Sequence, residues 1–179
     1  MRKIVCLYGG PGSGKSTACA GLYHRLKLAG YNAEMNREYI KDWVWEGRRI
    51  KPGDQTYFFA KQARRERQYM EQGLDVIITD SPLIMTHFYG LKYDAFEQEF
   101  NTSLAMLAQH HAIVKHFGYT VDHFVLSRPE GYDTAGRYQS EEDARQMDNE
   151  IEEMLTKRQI RYVRVGRTPI EDILGHLEA

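Results

Sequence analysis

The sequence has few cysteines, no excess of either charge and no long apolar run. Its 179 residues include two cysteines, Cys6 and Cys19, whose positions fit neither a disulfide framework nor a zinc site. The formal net charge is −1, so total charge gives no argument for nonspecific nucleic-acid binding. No apolar stretch approaches the length of a membrane span, and no signal-peptide core follows the polar start at residues 1–3. We therefore expect a soluble, cytoplasmic protein with no membrane partner.

Low-complexity linkers and internal repeats are also missing, and the length suits one α/β domain over residues 1–179. Helical segments separate five short apolar segments, which we predict as strands at 4–8, 31–35, 74–79, 119–126 and 161–165. The predicted helices cover 15–29, 39–45, 55–72, 95–117, a segment opened by Ser140 with Glu142 and Asp143 as capping partners, and 169–177. This alternation predicts an α/β fold, an open five-stranded parallel sheet flanked by helices.

The first predicted strand runs into a glycine-rich loop of the form G-x-x-x-x-G-K-[ST], from Gly9 to Ser16. Glycines allow consecutive backbone N–H groups to turn inward around phosphates, and the helix that follows adds its positive dipole end. Lys15 would reach the β- and γ-phosphates of ATP, and the Ser16 hydroxyl would hold Mg²⁺. The predicted nucleotide-binding residues are Gly10, Pro11, Gly12, Ser13, Gly14, Lys15, Ser16 and Thr17.

Two carboxylates follow predicted strands and should face the same crevice. Asp80 comes directly after the apolar run 76–79, where P-loop proteins place an acid that reaches Mg²⁺. Glu38 follows the second strand, beside Arg37. Either acid could accept a proton from a substrate hydroxyl, and the sequence leaves that choice open. Asp80 could also serve only to cap the turn before Ser81.

A loop over residues 127–140 has the composition of a short kinase lid. Arg128 and Arg137 bracket a segment whose glycines permit hinge motion. Arginines on such a loop can neutralise the transferring phosphoryl group and help to exclude water. A plain surface loop is the alternative. A GTPase would instead need an Asn-Lys-x-Asp-type guanine reader, and a motor ATPase a sensor arginine, and neither is visible.

The long helix predicted at 55–72 carries a basic stripe. Lys61, Arg64, Arg65 and Gln68 follow i, i+3, i+4 spacing, and aromatic residues precede them at 57–59. Basic residues beside aromatic ones can grip a polyanion such as DNA. A solvated helix face above a buried aromatic face explains the same pattern equally well.

Four segments together resemble a family of small phage-encoded P-loop kinases. They are residues 9–17, residues 37–39 with 45–47, residues 54–55 with 59–62, and residues 78–83. These proteins are similar to nucleotide and nucleoside kinases with a P-loop NTPase fold, and one branch is the 5-hydroxymethyluracil DNA kinase. The resemblance implies ATP and Mg²⁺ as cofactors, the latter on Ser16 and Asp80, with Arg137 on the transferring phosphoryl group and Glu38 and Gln62 on the acceptor side.

The resemblance leaves three functions open. The enzyme of that branch phosphorylates the hydroxymethyl group of the base within DNA, so the acceptor could be modified DNA whose base is extruded from the stack, and the basic helix would then hold the strand. If the acceptor is a free deoxynucleoside or monophosphate, Arg37 and Arg65 would bind a small anion. A third hypothesis is a non-catalytic ATPase switch in a phage assembly.

Overall fold

The computed structural model describes residues 2–93, 97–129 and 140–178. Its elements are β1 (Lys3–Tyr8), α1 (Lys15–Leu28), β2 (Ala33–Asn36), α2 (Ile40–Trp45), α3 (Asp54–Glu71), β3 (Val76–Thr79), α4 (Leu83–Tyr93), α5 (Glu97–His116), β4 (Thr120–Leu126), α6 (Glu141–Lys157), β5 (Val163–Val165) and α7 (Pro169–Glu178). The strands are parallel and pair in the order β2-β3-β1-β4-β5. The predicted five-stranded parallel sheet flanked by helices is confirmed.

Strand β1 lies at the centre of the sheet because both of its faces are apolar. Successive strand residues point to opposite faces, so Ile4, Cys6 and Tyr8 pack against α3 to α6. Val5 and Leu7 pack on the other face, against α1 and α7. Parallel sheets covered by helices on both faces require strands of this kind. The carboxyl ends of the strands then meet at one edge, where α/β folds bind ligands.

Helix α4 is absent from the sequence-based prediction, which leaves residues 83–94 without an element. Its side chains are apolar on nearly every side, and Leu83, Met85 and Phe88 are buried. A helix whose apolar residues are spread around its axis lacks the amphipathic period by which a helix is detected from sequence. The predicted start of the next helix, at residue 95, lies outside the described residues. Within the described part of the chain, no helix is both long and apolar enough to cross a membrane.

Ser140 begins α6 as predicted, through a capping box. Its hydroxyl accepts a hydrogen bond from the Asp143 N–H at 3.1 Å, and its own N–H donates to the Asp143 carboxylate at 3.2 Å. The partner is therefore Asp143, because only the third helical residue can return this bond, and Glu142 makes no part of the box.

His87 of α4 joins three parts of the structure through its two ring nitrogens. Its Nδ1 lies 2.6 Å from Ser103 Oγ of α5, and its Nε2 contacts Nη2 of Arg158, which follows α6. Because an arginine only donates, Nε2 accepts and Nδ1 carries the proton that faces Ser103. Burial, and after it the charge of Arg158, lowers the pKa of His87 to about 4. The folded protein therefore holds this ring in its neutral form.

We expect the protein to lose stability as the pH falls from about 6.5 towards about 4. In that window the unfolded chain binds protons that His87 and His123 do not bind in the folded chain, since burial also lowers the pKa of His123 to about 4. The free energy of unfolding should drop by roughly 2 kcal/mol for each of the two histidines between about pH 7 and pH 5. Urea unfolding at both pH values measures the drop, and His87→Gln should reduce it. Equal values at both pH values would contradict the prediction.

Candidate active site

The loop between β1 and α1 is shaped by glycines. Gly9, Gly12 and Gly14 have φ angles of 143°, 81° and 87°, in a region that side chains rarely allow. A Cβ on Gly9 would lie 2.5 Å from Ser13 Oγ, so space as well as backbone angle requires glycine there. Gly14 also caps α1, whose first turn contains no acidic residue. The positive end of this helix is therefore open to an anion.

The ammonium group of Lys15 lies across this loop. Its Nζ donates to the carbonyl oxygens of Gly9 at 2.6 Å and Gly10 at 3.0 Å. Burial lowers the pKa of Lys15, while the carboxylates of Glu38 and Asp80 act in the opposite direction. A partly desolvated cation beside the loop and the start of α1 is suited to bind phosphate oxygens, because its charge is screened less than in water.

Asp80 connects the loop with the segment that follows β2. One carboxylate oxygen accepts from Ser16 Oγ at 2.7 Å, and the other accepts from the backbone N–H of Glu38 at 2.9 Å. The hydroxyl and the carboxylate thus form a pair of neighbouring oxygen donors at the start of α1. Mg²⁺ prefers oxygen ligands and retains several waters beside one or two protein groups, so these residues fit the ion.

A cavity of about 310 Å³ extends from the phosphate loop towards α2, α3 and α4. Loop residues, Lys15, Asp80 and Glu38 form part of its lining, and the part contributed by α2, α3, α4 and the segments just before α3 and α4 is called the far wall. Burial raises the pKa of the Glu38 carboxyl, and the nearby Lys15 partly offsets this effect. The far wall consists of Ile40, Lys41, Val44, Ile50, Gln55, Ser81, Met85 and Tyr89. The cavity can therefore bring a phosphate donor and a second molecule to the same carboxylates.

A family model described as an AAA domain matches residues 4–172. The chain belongs to this AAA domain family. A search of curated proteins finds no match to it.

Two solved structures resemble this AAA domain. One is the NadR protein in complex with NR, at a TM-score of 0.62 and 16% identity, over 92% of this chain and 45% of the NadR chain. The AAA domain chain thus spans less than half the length of that protein. The other is a mutant of the APS kinase CysC of Mycobacterium tuberculosis, at a TM-score of 0.48 and 13% identity, over 99% and 98% of the chains. The similarity to NadR supports the α/β fold described above, a parallel sheet whose first strand leads into the phosphate loop.

Eight of the predicted site residues line the cavity, namely Pro11, Gly12, Gly14, Lys15, Ser16, Thr17, Glu38 and Asp80. Gly10 and Ser13 belong to the same loop, and Ser13 is buried. Arg137 lies outside the described residues, as does most of the predicted lid.

The other predicted residues lie away from the cavity wall. Gln62 is 2% exposed and donates from Nε2 to the Ser81 carbonyl at 2.8 Å, which joins α3 to the end of β3. Arg37 is exposed, and its carbonyl accepts from Nη1 of Arg65 at 3.5 Å. Arg128 donates to the Pro11 carbonyl at 2.6 Å on the loop itself. Their predicted contacts with substrate stay predictions.

Sequence reasoning missed the far wall of the cavity. Met85 and Tyr89 lie one turn apart on α4, the helix that the apolar pattern hid. Lys41 and Val44 lie on α2, directly after Glu38, and Gln55 is the second residue of α3. Position in the chain was the available signal for α2 and α4, which follow Glu38 and Asp80, whereas Gln55 belongs to one of the segments that carry the family resemblance.

An aromatic–basic surface, formed by Tyr39, Trp43, Arg48, Tyr57 and Lys61, lies on α2, α3 and the segment between them. Arg48 Cζ lies 5.1 Å from the centre of the Trp43 ring, and Lys61 Nζ lies 5.3 Å from that of Tyr57. Both cation-to-ring distances are typical of cation–π contacts. The hydroxyls of Tyr39 and Tyr57 are 3.1 Å apart and share a hydrogen bond. The surface adjoins the far wall of the cavity, because α2 and the start of α3 contribute to both.

Proposed function

We propose that this protein is an ATP-dependent phosphotransferase that transfers the γ-phosphate to a hydroxyl group of an acceptor bound against the far wall of the cavity. The carrying observation is that one cavity contains the phosphate loop, Asp80 and the separate carboxylate of Glu38. An ATPase that only hydrolyses has no need of a second compartment on the acceptor side. A NadR protein of similar fold was solved in complex with NR, which is consistent with a second, small-molecule ligand for this fold.

Each group in the cavity wall has a proposed task. The loop amides and Lys15 bind and orient the phosphates, which lowers the cost of bringing donor and acceptor together. Ser16 and Asp80 hold Mg²⁺, whose charge stabilises the phosphoryl oxygens during transfer. Met85, Tyr89 and the other apolar wall residues keep water from competing with the acceptor.

Glu38 is the proposed general base. Both carboxylate oxygens of Asp80 already accept hydrogen bonds, one from Ser16 and one from the Glu38 backbone. The Glu38 carboxyl lines the cavity, and burial raises its pKa, so it binds a proton more readily than an exposed glutamate. It would accept the proton of the acceptor hydroxyl as the oxygen attacks the γ-phosphate.

Transfer of labelled γ-phosphate from ATP tests the proposal. The acceptors are 5-hydroxymethyluracil DNA, ordinary thymine DNA, free deoxynucleosides and nucleoside monophosphates. Label on any acceptor supports the phosphotransferase, and the labelled compound identifies its class. Rapid hydrolysis of ATP with no labelled acceptor would contradict it and favour the ATPase switch.

We propose modified DNA as the acceptor of choice, and the aromatic–basic surface supports it. Aromatic rings stack on bases of any sequence, and neighbouring cations contact the phosphates of a strand. Along α3, the basic residues Lys61, Arg64 and Arg65 continue this surface beyond Tyr57 at i, i+3, i+4 spacing. A single strand lying here could place one base, with its hydroxymethyl group, in the cavity. A free nucleoside would use the cavity alone.

Charge reversal on α3 should separate the two acceptors. The double variant Lys61→Glu with Arg64→Glu should lower kcat/KM on DNA by about tenfold or more, with a smaller salt dependence, because phosphate contacts are lost. Activity on a free nucleoside should change by less than about threefold, since neither residue lines the cavity. Lys27→Glu, in the last turn of α1, is the matched control. Equal losses on both acceptors would remove the argument for DNA.

A further inference from the structure

Arg128 and Asp148 contact the phosphate loop from outside the cavity. The Asp148 carboxylate accepts from the Gly10 N–H at 2.5 Å through Oδ1 and from Arg128 Nε at 2.8 Å through Oδ2. Arg128 also donates to the carbonyls of Pro11 at 2.6 Å and Ala144 at 3.0 Å. One ion pair therefore fixes both an N–H and a C=O in the first turn of the loop.

The packing at Gly10 gives an independent indication. The motif G-x-x-x-x-G-K-[ST] accepts any residue at this second position, and yet the chain has glycine. A Cβ here would lie 2.5 Å from the Ala144 carbonyl oxygen and 2.9 Å from Asp148 Oδ1. The glycine is therefore explained by the close approach of α6 to the loop, which a side chain would prevent.

Asp148 places a negative charge beside a loop built to bind phosphates. The Arg128 side chain is 6% exposed and the Asp148 side chain 22%, so solvent screens their charges only partly. Both charges reach the Lys15 ammonium: burial lowers the pKa of Lys15, the Asp148 carboxylate opposes that shift, and the Arg128 guanidinium adds to it. Arg128 thus offsets a carboxylate that would otherwise repel the nucleotide.

We propose that Arg128 and Asp148 act together as positioning residues for ATP, holding the first turn of the phosphate loop in its binding shape. This inference rests on the nucleotide-binding half of the proposed function and does not depend on the acceptor. It gives Arg128 a task different from neutralising the transferring phosphoryl group, because three acceptors on the loop and α6 hold its guanidinium. The pair also connects α6 to the donor site.

Binding of ATP with Mg²⁺ to the full chain, measured by isothermal titration calorimetry without any acceptor, tests the pair. Asp148→Asn keeps an oxygen acceptor for Gly10, and we expect it to weaken binding by about threefold. Arg128→Met leaves the Asp148 charge unpaired beside the phosphates, and we expect a loss of about thirtyfold or more. The double variant should bind ATP more tightly than Arg128→Met alone, because the unpaired carboxylate is gone.

The recovery in the double variant is decisive, since a simple loss of packing would not produce it. Arg145→Met, an exposed residue of α6 paired with Glu141, is the control and should bind as the unaltered protein does. With a phosphorylated acceptor in hand, KM for ATP should rise in Asp148→Asn while KM for the acceptor stays unchanged. The proposal is overturned if the double variant binds ATP no better than Arg128→Met, or if Asp148→Asn and Arg145→Met have equal effects. A failure to phosphorylate any acceptor would leave these binding results standing.

Discussion

Replacing Lys15 by alanine should lower kcat/KM for phosphate transfer by about a thousandfold or more, while the chain remains folded. The Lys15 ammonium donates to the carbonyls of Gly9 and Gly10 and lies near the Glu38 and Asp80 carboxylates. From this position it would contact the phosphate oxygens, where negative charge moves during transfer. Its removal takes away a charge that is only partly screened. Among the described residues that line the cavity, the other cation is Lys41, which lies on the far wall and cannot take the place of Lys15 in the loop.

The measurement is the initial rate of labelled phosphate transfer to the best acceptor, over a range of ATP concentrations. Lys27→Ala is the matched control, because Lys27 lies on the same helix in its last turn. Thermal unfolding should give similar midpoints for both variants, since Lys15 contacts its own loop and no core side chain. A Lys15→Ala enzyme that retained more than about a tenth of the activity would refute the donor site.

The phosphate loop and Asp80 could be predicted from sequence because their signals are local. The loop needs a strand, glycines and a lysine within a few residues, and backbone angles decide which positions are glycine. Asp80 follows a fully buried strand, and parallel strands bring their carboxyl ends to one edge. Glu38 was placed near this edge by the same reasoning, and the Asp80 carboxylate bonds its backbone.

The far wall and the Arg128–Asp148 pair could not be predicted because they depend on contacts between distant parts of the chain. Arg128 reaches Pro11 across 117 positions, and Asp148 reaches Gly10 across 138. Helix α6 is rich in acidic residues, as solvated helix faces are, and no local sequence signal distinguishes Asp148 from the other acids of this helix. The composition of residues 127–140 also led to the prediction that Arg128 belongs to a lid. In the structure, Arg128 donates to acceptors on the phosphate loop and on α6.

Gln62 has a structural contact that the resemblance did not indicate. Its position in a motif placed it on the acceptor side, which stays a prediction, and the structure shows a buried side chain that donates to the Ser81 carbonyl. The Asn36 side chain in turn donates to the Gln62 carbonyl at 3.2 Å. Gln62 thus holds α3 against the ends of β2 and β3, the two strands that deliver Glu38 and Asp80. A motif residue can therefore support the site from behind its wall.

Replacing Asp80 by asparagine should lower kcat by about a hundredfold or more and raise the Mg²⁺ concentration needed for half-maximal rate. Asparagine keeps one oxygen, which can still accept from Ser16 or from the Glu38 N–H, but not both, and its negative charge is lost. The variant should therefore bind Mg²⁺ more weakly and hold Glu38, the proposed base, less firmly in place.

Glu38→Gln provides the matched comparison, since it removes the other carboxylate of the cavity without touching the Ser16–Asp80 bond. If Glu38 is the base, kcat/KM falls on the acid side of its pKa, which burial raises above the ordinary glutamate value. Glu38→Gln should abolish this acid limb and leave the Mg²⁺ dependence unchanged, whereas Asp80→Asn should shift the Mg²⁺ dependence and retain the limb. Rate profiles across pH and Mg²⁺ concentration for the two variants measure both effects. If Asp80→Asn instead abolished the acid limb and Glu38→Gln shifted the Mg²⁺ dependence, Asp80 would be the base and Glu38 a metal ligand.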